Sequence, residues 1–211
     1  HERFPGAVSS LCIEAMMQDR KALQAGTSHY LGQNFARACG IEFATESGGL
    51  DLVHTTSWGT STRLIGGLIM AHGDDDGIRV PPKVAPKHAV ILPVIPSDDA
   101  REKVLTYARS VAESLSDIMF NGSGIVVELD RRDLRGGEKN WQWIKKGIPV
   151  RIEVGPRDIE KGNIVLYRRD RSHKEKLFMP LAELAGKLPS ILQEIQDNYF
   201  AEALAFRKEN L

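Results

Sequence analysis

The chain has 211 residues, 42% hydrophobic and 27% charged, with Lys+Arg and Asp+Glu equal at 28 each. That composition supports one or two packed domains, excludes a disordered or collagen-like class, and leaves no global field to draw in nucleic acid. Two cysteines far apart, Cys12 and Cys39, lack the paired spacing of a zinc site and predict reduced core thiols. No apolar run approaches the roughly 18 residues of a membrane helix.

The chain opens "HERFPGA" without an initiator Met, which predicts processing or a piece of something longer. No basic segment followed by an apolar one suggests export, so the expected compartment is the cytosol. From Phe4 to Ala85, two glycine-spaced, Ser/Thr-rich segments, "ALQAGTSHYLGQNF" and "TTSWGTSTRLIGG", are separated by "ESGGLD", and both read as loops running into helices. In the second, Leu64, Ile65, Leu68 and Ile69 repeat on one helical face, Ser61 or Thr62 is placed to cap it, and Gly73 to end it.

Prolines at 81, 82, 86, 93 and 96 oppose continuous helix and set a boundary near Pro86, giving domains 1–86 and 87–211. The strand "HAVILPVI" comes next, then a helix from Ser97 to about Phe120 with one apolar stripe. Strand "GIVVEL", helix "EKNWQWIKK" stopped by Gly147, strand "PVRIEV", a turn at "GPRD", strand "NIVLYRR", and "KLFMP" leading into a long C-terminal helix complete the order. Strands alternating with helices predict an α/β fold with a mostly parallel or mixed sheet. The first half has too few strands to cover its apolar helix face, which predicts a missing upstream portion.

Arg63 sits in the first turn of its helix, where the partial positive charge disfavours a cation by a few tenths to about 1 kcal/mol. It needs an anion. The hydroxyls around it (Thr55, Thr56, Ser57, Thr60, Ser61, Thr62) and the open backbone at Gly59 suit a polyphosphate, whereas solvent or an acid such as Asp74 would also satisfy it. Neither a Walker P-loop nor a GxGxxG pattern is present. Gln24, Thr27, Ser28 and His29 share one short segment, with His29 either a packing residue or a catalytic one. The acids of "GDDDG" fit a solvated turn or a divalent ion. Between Arg131 and Lys176 fourteen Lys or Arg face seven Asp or Glu, giving a solvated face or an RNA-binding one. Trp58, Trp141 and Trp143 read as core residues, though Trp141 or Trp143 among its lysines could stack on a base.

Three segments, "ALQAGTSHYLGQNFARACGIEF", "TSWGTSTRLIGGLIMAHGDDDGIRVPPKVAP" and "KNWQWIKKGIPVRIEVGPRD", together resemble prolyl-tRNA synthetase of the type shared by archaea and eukaryotes and found in some bacteria. The resemblance runs over essentially the whole chain. It implies an α+β C-terminal segment of a class II catalytic domain (1–86) followed by a class II anticodon-binding domain (87–211), with mixed sheet and flanking helices. By the same resemblance Arg63 is the motif 3 arginine on the ATP phosphates. Gln24, Thr27, Ser61 and Thr62 line the ATP side, and His29, Ser57, Trp58 and Gly59 the proline side. The implied chemistry is attack of the proline carboxylate on the α-phosphate of ATP, assisted by Mg²⁺, then transfer to tRNA(Pro). Lys139, Trp143, Lys145, Arg157 and Asp158 are the implied anticodon candidates.

Motifs 1 and 2 of that family would lie upstream of His1, and its zinc-binding segment beyond Leu211. The expectation is therefore a fragment, inactive by itself in adenylate formation, from a cytoplasmic and homodimeric parent. The alternative is a non-catalytic tRNA-binding or regulatory module derived from such an enzyme.

Overall fold

The computed structural model describes residues 3–210, in two compact units that part between Ala71 and His72. In the first, β1 (Ser9–Met16) and β2 (Ala22–Gly32) form an antiparallel pair. Next come α1 (Asn34–Cys39), the small hairpin of β3 (Glu42–Ala44) and β4 (Leu50–Leu52), β5 (Thr55–Gly59) and α2 (Arg63–His72). β5 joins the far side of β2, so the sheet runs β1-β2-β5.

Both segments expected to be loops are thus strands. Their glycines and hydroxyls gave a loop-like composition, but strand identity is set here by partners across the ladder, and β1 was not among the expected strands. The core of this unit is thin. Only Ala7, Leu31 and Ala36 are buried apolar residues among those described, α2 buries none, and Leu11, Ile13 and Trp58 are exposed. Cys12 and Cys39 are exposed as well, not core thiols.

The second unit starts with a segment, 72–87, that includes a 3-10 turn at Pro82–Val84. Its prolines, at 81, 82 and 86, lie within this unit, 10 to 15 residues after Ala71, where the first unit ends. Asp74 is paired with Arg169, Arg79 Nη2 donates to Glu202 at 2.5 Å, and the amide of Ile78 donates to the carbonyl of Lys145 at 3.3 Å.

There follow β6 (Ala89–Pro93), α3 (Asp98–Glu113), the two-residue strands β7 (Met119–Phe120) and β8 (Ser123–Gly124), β9 (Val127–Leu129) and α4 (Gly136–Lys145). Then come β10 (Val150–Val154), α5 (Pro156–Lys161), β11 (Asn163–Arg168), β12 (Leu177–Pro180) and α6 (Leu181–Asn210). The sheet order is β12-β11-β10-β6-β9, with β6 parallel to both neighbours and β11 and β12 antiparallel.

Alternation along the strands divides the packing. Ala89, Ile91, Val150, Ile152 and Leu166 meet Ala108 and Val111 of α3 and Leu184, Leu188 and Leu192 of α6. The opposite face puts Val90 and Leu92 against Trp143 of α4. Two sequence expectations change. The helix from Ser97 stops at Glu113, and part of its expected last turn is instead β7, which Asn121 and Gly122, both at positive φ, turn into β8. "GPRD" is the start of α5, with Pro156 at the first position, where its missing N–H costs nothing.

Candidate functional site

In the first unit the three-stranded sheet carries a polar face. Ser10, His29 and Ser57 lie across from one another, as do Cys12, Thr27 and Gly59 in the next row but one. Ser10 Oγ is 2.7 Å from His29 Nδ1, and the Phe4 ring stacks on the imidazole at 4.6 Å.

Gln24 would face the other way from Thr27 in a regular strand, being three residues distant. The pairing jumps from Ile13↔Gly26 to Glu14↔Gln24, leaving Ala25 as an extra residue, and this bulge turns Gln24 back to the same face. There Gln24 Nε2 donates to Thr27 Oγ1 at 2.8 Å and lies 3.5 Å from Cys12 Sγ. Its other end accepts from Arg63 Nη1 at 2.9 Å.

Arg63 opens α2, and its backbone amide donates to Ser61 Oγ at 3.3 Å. Thr62 is exposed beside it, and its carbonyl accepts from the amide of Ile65 at 3.0 Å. Gln24, Thr27, Ser61, Thr62 and Arg63 are thus brought together by one strand and one helix start. His29 and Ser57 share the sheet face with Thr27, and Gly59 is open to solvent. Trp58 is separated from them: it pairs with Ser28, projects from the opposite face and is 79% exposed. Cys12, absent from the sequence candidates, joins the face only because its long-range partner β2 aligns it with Thr27.

In the second unit, β6 leads into α3 on one face of the sheet and the adjacent β9 leads into α4 on the other. The loops after these two parallel strands therefore part and leave a crevice at their carboxyl ends, the place where open α/β sheets bind ligands. The resulting cleft of about 380 Å³ is lined by Ser97, Arg101, Asp130, Arg132, Arg135 and Lys139, among others. Arg157, after β10, lies at the same end of the sheet.

Asp130 organises the cleft floor. Its buried carboxylate accepts from Arg132 Nε at 2.9 Å, Arg132 Nη2 at 2.6 Å and Trp143 Nε1 at 2.8 Å. Burial opposes its ionisation, but the bonds from Arg132 and Trp143 outweigh it and hold the carboxyl well below the usual range. Lys139, 4% exposed, donates to the Asp130 carbonyl at 3.3 Å. Asp158 accepts the Gly155 amide at 2.9 Å and caps α5.

Of the five anticodon candidates, Lys145 and Arg157 are exposed, while Lys139 and Trp143 are buried around Asp130 and Asp158 serves the cap. Sequence reasoning missed Asp130 and Arg132, whose signal was the short "DRRD" run. Two of the three "GDDDG" acids are engaged: Asp74 with Arg169, and Asp76 facing His173 at 3.5 Å.

A family model described as an anticodon binding domain matches residues 88–191. This segment is similar to an anticodon binding domain. The cleft at the carboxyl ends of β6 and β9 lies within it. Over 206 residues the chain is 56% identical to proline–tRNA ligase 2 of Anaeromyxobacter dehalogenans, covering 98% of this chain and 40% of that protein. It is 52% identical over 210 residues to the proline–tRNA ligases of Protochlamydia amoebophila and Bdellovibrio bacteriovorus, covering 100% of this chain and 41% and 42% of theirs. The chain thus spans about two fifths of the length of these relatives. Among the described residues no helix is long and apolar enough to cross a membrane.

Proposed function

We propose that the chain is the part of a proline–tRNA ligase that carries the motif 3 side of the adenylation site and the anticodon-binding domain, in an enzyme of the type archaea and eukaryotes share with some bacteria. The observation that carries this reading is Arg63: a guanidinium at a helix start, aimed by Gln24 and neighboured by the hydroxyls of Ser61 and Thr62. A helix start and a cation together want an anion, and a triphosphate supplies one.

In this reading Arg63 draws charge from the phosphates of ATP as the proline carboxylate attacks and pyrophosphate leaves. Gln24 fixes the guanidinium, and Thr27 fixes Gln24. His29, held by Ser10, and Ser57 face the proline side; Trp58 projects from the opposite face of the sheet. Catalysis by alignment and preorganised positive charge needs no acid or base among these residues. Mg²⁺ would accompany ATP, but the described residues gather no three-ligand cluster for it, so no step is assigned to it. The partners are tRNA(Pro), proline and ATP, in a cytoplasmic, homodimeric parent. In the second unit, Arg157, Arg135 and Lys145 are the exposed cations that would meet the tRNA, and phosphate contacts should dominate its affinity.

The test is proline-dependent ATP–pyrophosphate exchange in the full-length parent. Arg63→Ala should lower exchange on the order of 100-fold or more while leaving tRNA(Pro) affinity unchanged. Exchange that survives the substitution would refute the role of Arg63. A parent that binds tRNA(Pro) yet exchanges nothing would be a tRNA-binding module instead.

A further inference from the structure

The outward stripe of α4 carries Glu138, Trp141, Gln142 and Lys145, one helical turn apart in pairs. Three of these are the polar residues a solvated face calls for, and the fourth is a tryptophan 42% exposed. Its indole does not serve the core, which Trp143 serves from the inner face of the same helix. It lies instead against His173 of the loop between β11 and β12, ring centroids 5.1 Å apart and planes inclined at 51°.

The charge around this pair is weighted toward cations, against Asp76, which faces His173 at 3.5 Å. Lys145 stands one turn beyond Trp141, and Lys174 and Lys176 are exposed on the loop that carries His173. The acids nearby are engaged: Glu175 with Arg171 at 3.2 Å, Asp170 with Arg168 at 2.8 Å, and Glu138 as acceptor for Gln142 at 3.2 Å. The helix starts at Arg135–Gly136, on the rim of the cleft, so the stripe leads from that cleft toward the lysines.

We infer that Trp141 and His173 form a stacking platform for an unpaired base of the bound tRNA, flanked by Lys145, Lys174 and Lys176 on its phosphates. An exposed indole among cations matches an unstacked base on a phosphate chain, since every base offers a π face and the lysines neutralise its backbone. The inference rests on the reading that this domain binds tRNA, and adds a contact surface outside the cleft.

The experiment measures tRNA(Pro) transcript binding to this chain by fluorescence anisotropy across a salt series. Trp141→Ala should weaken binding about tenfold or more, and Trp141→Phe should restore most of it. The salt slope should stay unchanged in Trp141→Ala but fall by roughly one unit in Lys145→Ala. Trp141 is on the surface, so its variants should melt with the parent chain. Affinity for Trp141→Ala within about twofold of wild type, with Arg135→Ala or Arg157→Ala still weakening binding, overturns the platform but keeps the cleft, and leaves the patch to an acidic protein surface. No salt-dependent binding by the wild-type chain overturns both.

Discussion

Replacing Asp130 tests whether one buried carboxylate builds the cleft. Asp130→Ala strips the acceptor from Trp143 Nε1, a buried N–H with no other partner, which costs about 1–3 kcal/mol. It also breaks the fork to Arg132, whose side chain is 42% exposed, so solvent screening reduces that share to about 0.5–1 kcal/mol. The sum is about 1.5–4 kcal/mol. Asp130→Asn keeps one oxygen for the indole but loses the charge and sets an NH2 against the Arg132 donors, so it should fall between.

The folded carboxyl lies below its unfolded value near 4, so its contribution is present above about pH 4 and disappears as pH falls through the folded value. Urea unfolding followed by Trp143, the one buried tryptophan of three, reads both effects. A cost for Asp130→Ala under about 0.5 kcal/mol, or a gap between wild type and variant that does not shrink as the solution is acidified below about pH 4, would refute the reasoning.

Gly147 has φ 72°, and a Cβ there would lie 2.5 Å from the carbonyl oxygen of Ile78, so Gly147→Ala should cost at least about 2 kcal/mol in the same unfolding assay. Arg151 is 1% exposed with Nε and Nη2 unpartnered, and burial with the nearby Arg169 lowers its pKa to about 10. Arg151→Met should therefore unfold at equal or higher urea, a gain of up to about 2 kcal/mol, and a clear loss would mean the charge is satisfied by ordered water. Asp74→Ala leaves the 5%-exposed Arg169 without its carboxylate and should destabilise by about 1–3 kcal/mol in urea. Gln24→Ala in the full-length parent should lower proline-dependent ATP–pyrophosphate exchange by roughly tenfold through a loosened Arg63, with tRNA affinity unmoved.

The second unit was largely legible in the sequence because its signals are local. The apolar run 89–93 and the stripe from Val104 to Val111 each depend on near neighbours. The first unit was less so. β1 and β2 recognise each other across a turn; Leu11, Ile13 and Ala15 alternate in β1, a strand signal that the expected elements leave out, while the polar, glycine-bearing β2 reads as a loop. Arg63 could be singled out from its place in a helix turn, but its bond to Gln24, 39 residues earlier, could not. For Lys139 and Trp143 the residue types suited RNA, and only the packing of α4 on the sheet commits them to Asp130.

The extra residue at Ala25 works as a phase shifter between the two ends of β2. Loss of three nucleotides at codon 25 would keep the reading frame, and His29, Thr27 and Ser57 would retain their orientation. Gln24, then two residues from Thr27, would stay on the shared face, and the ladder would run on without its bulge. A residue inserted between Ile13 and Glu14 would instead give Ala25 a partner, straighten the bulge and turn Gln24 to the far side of the sheet, releasing Arg63, so the site should tolerate a shorter β2 better than a longer β1.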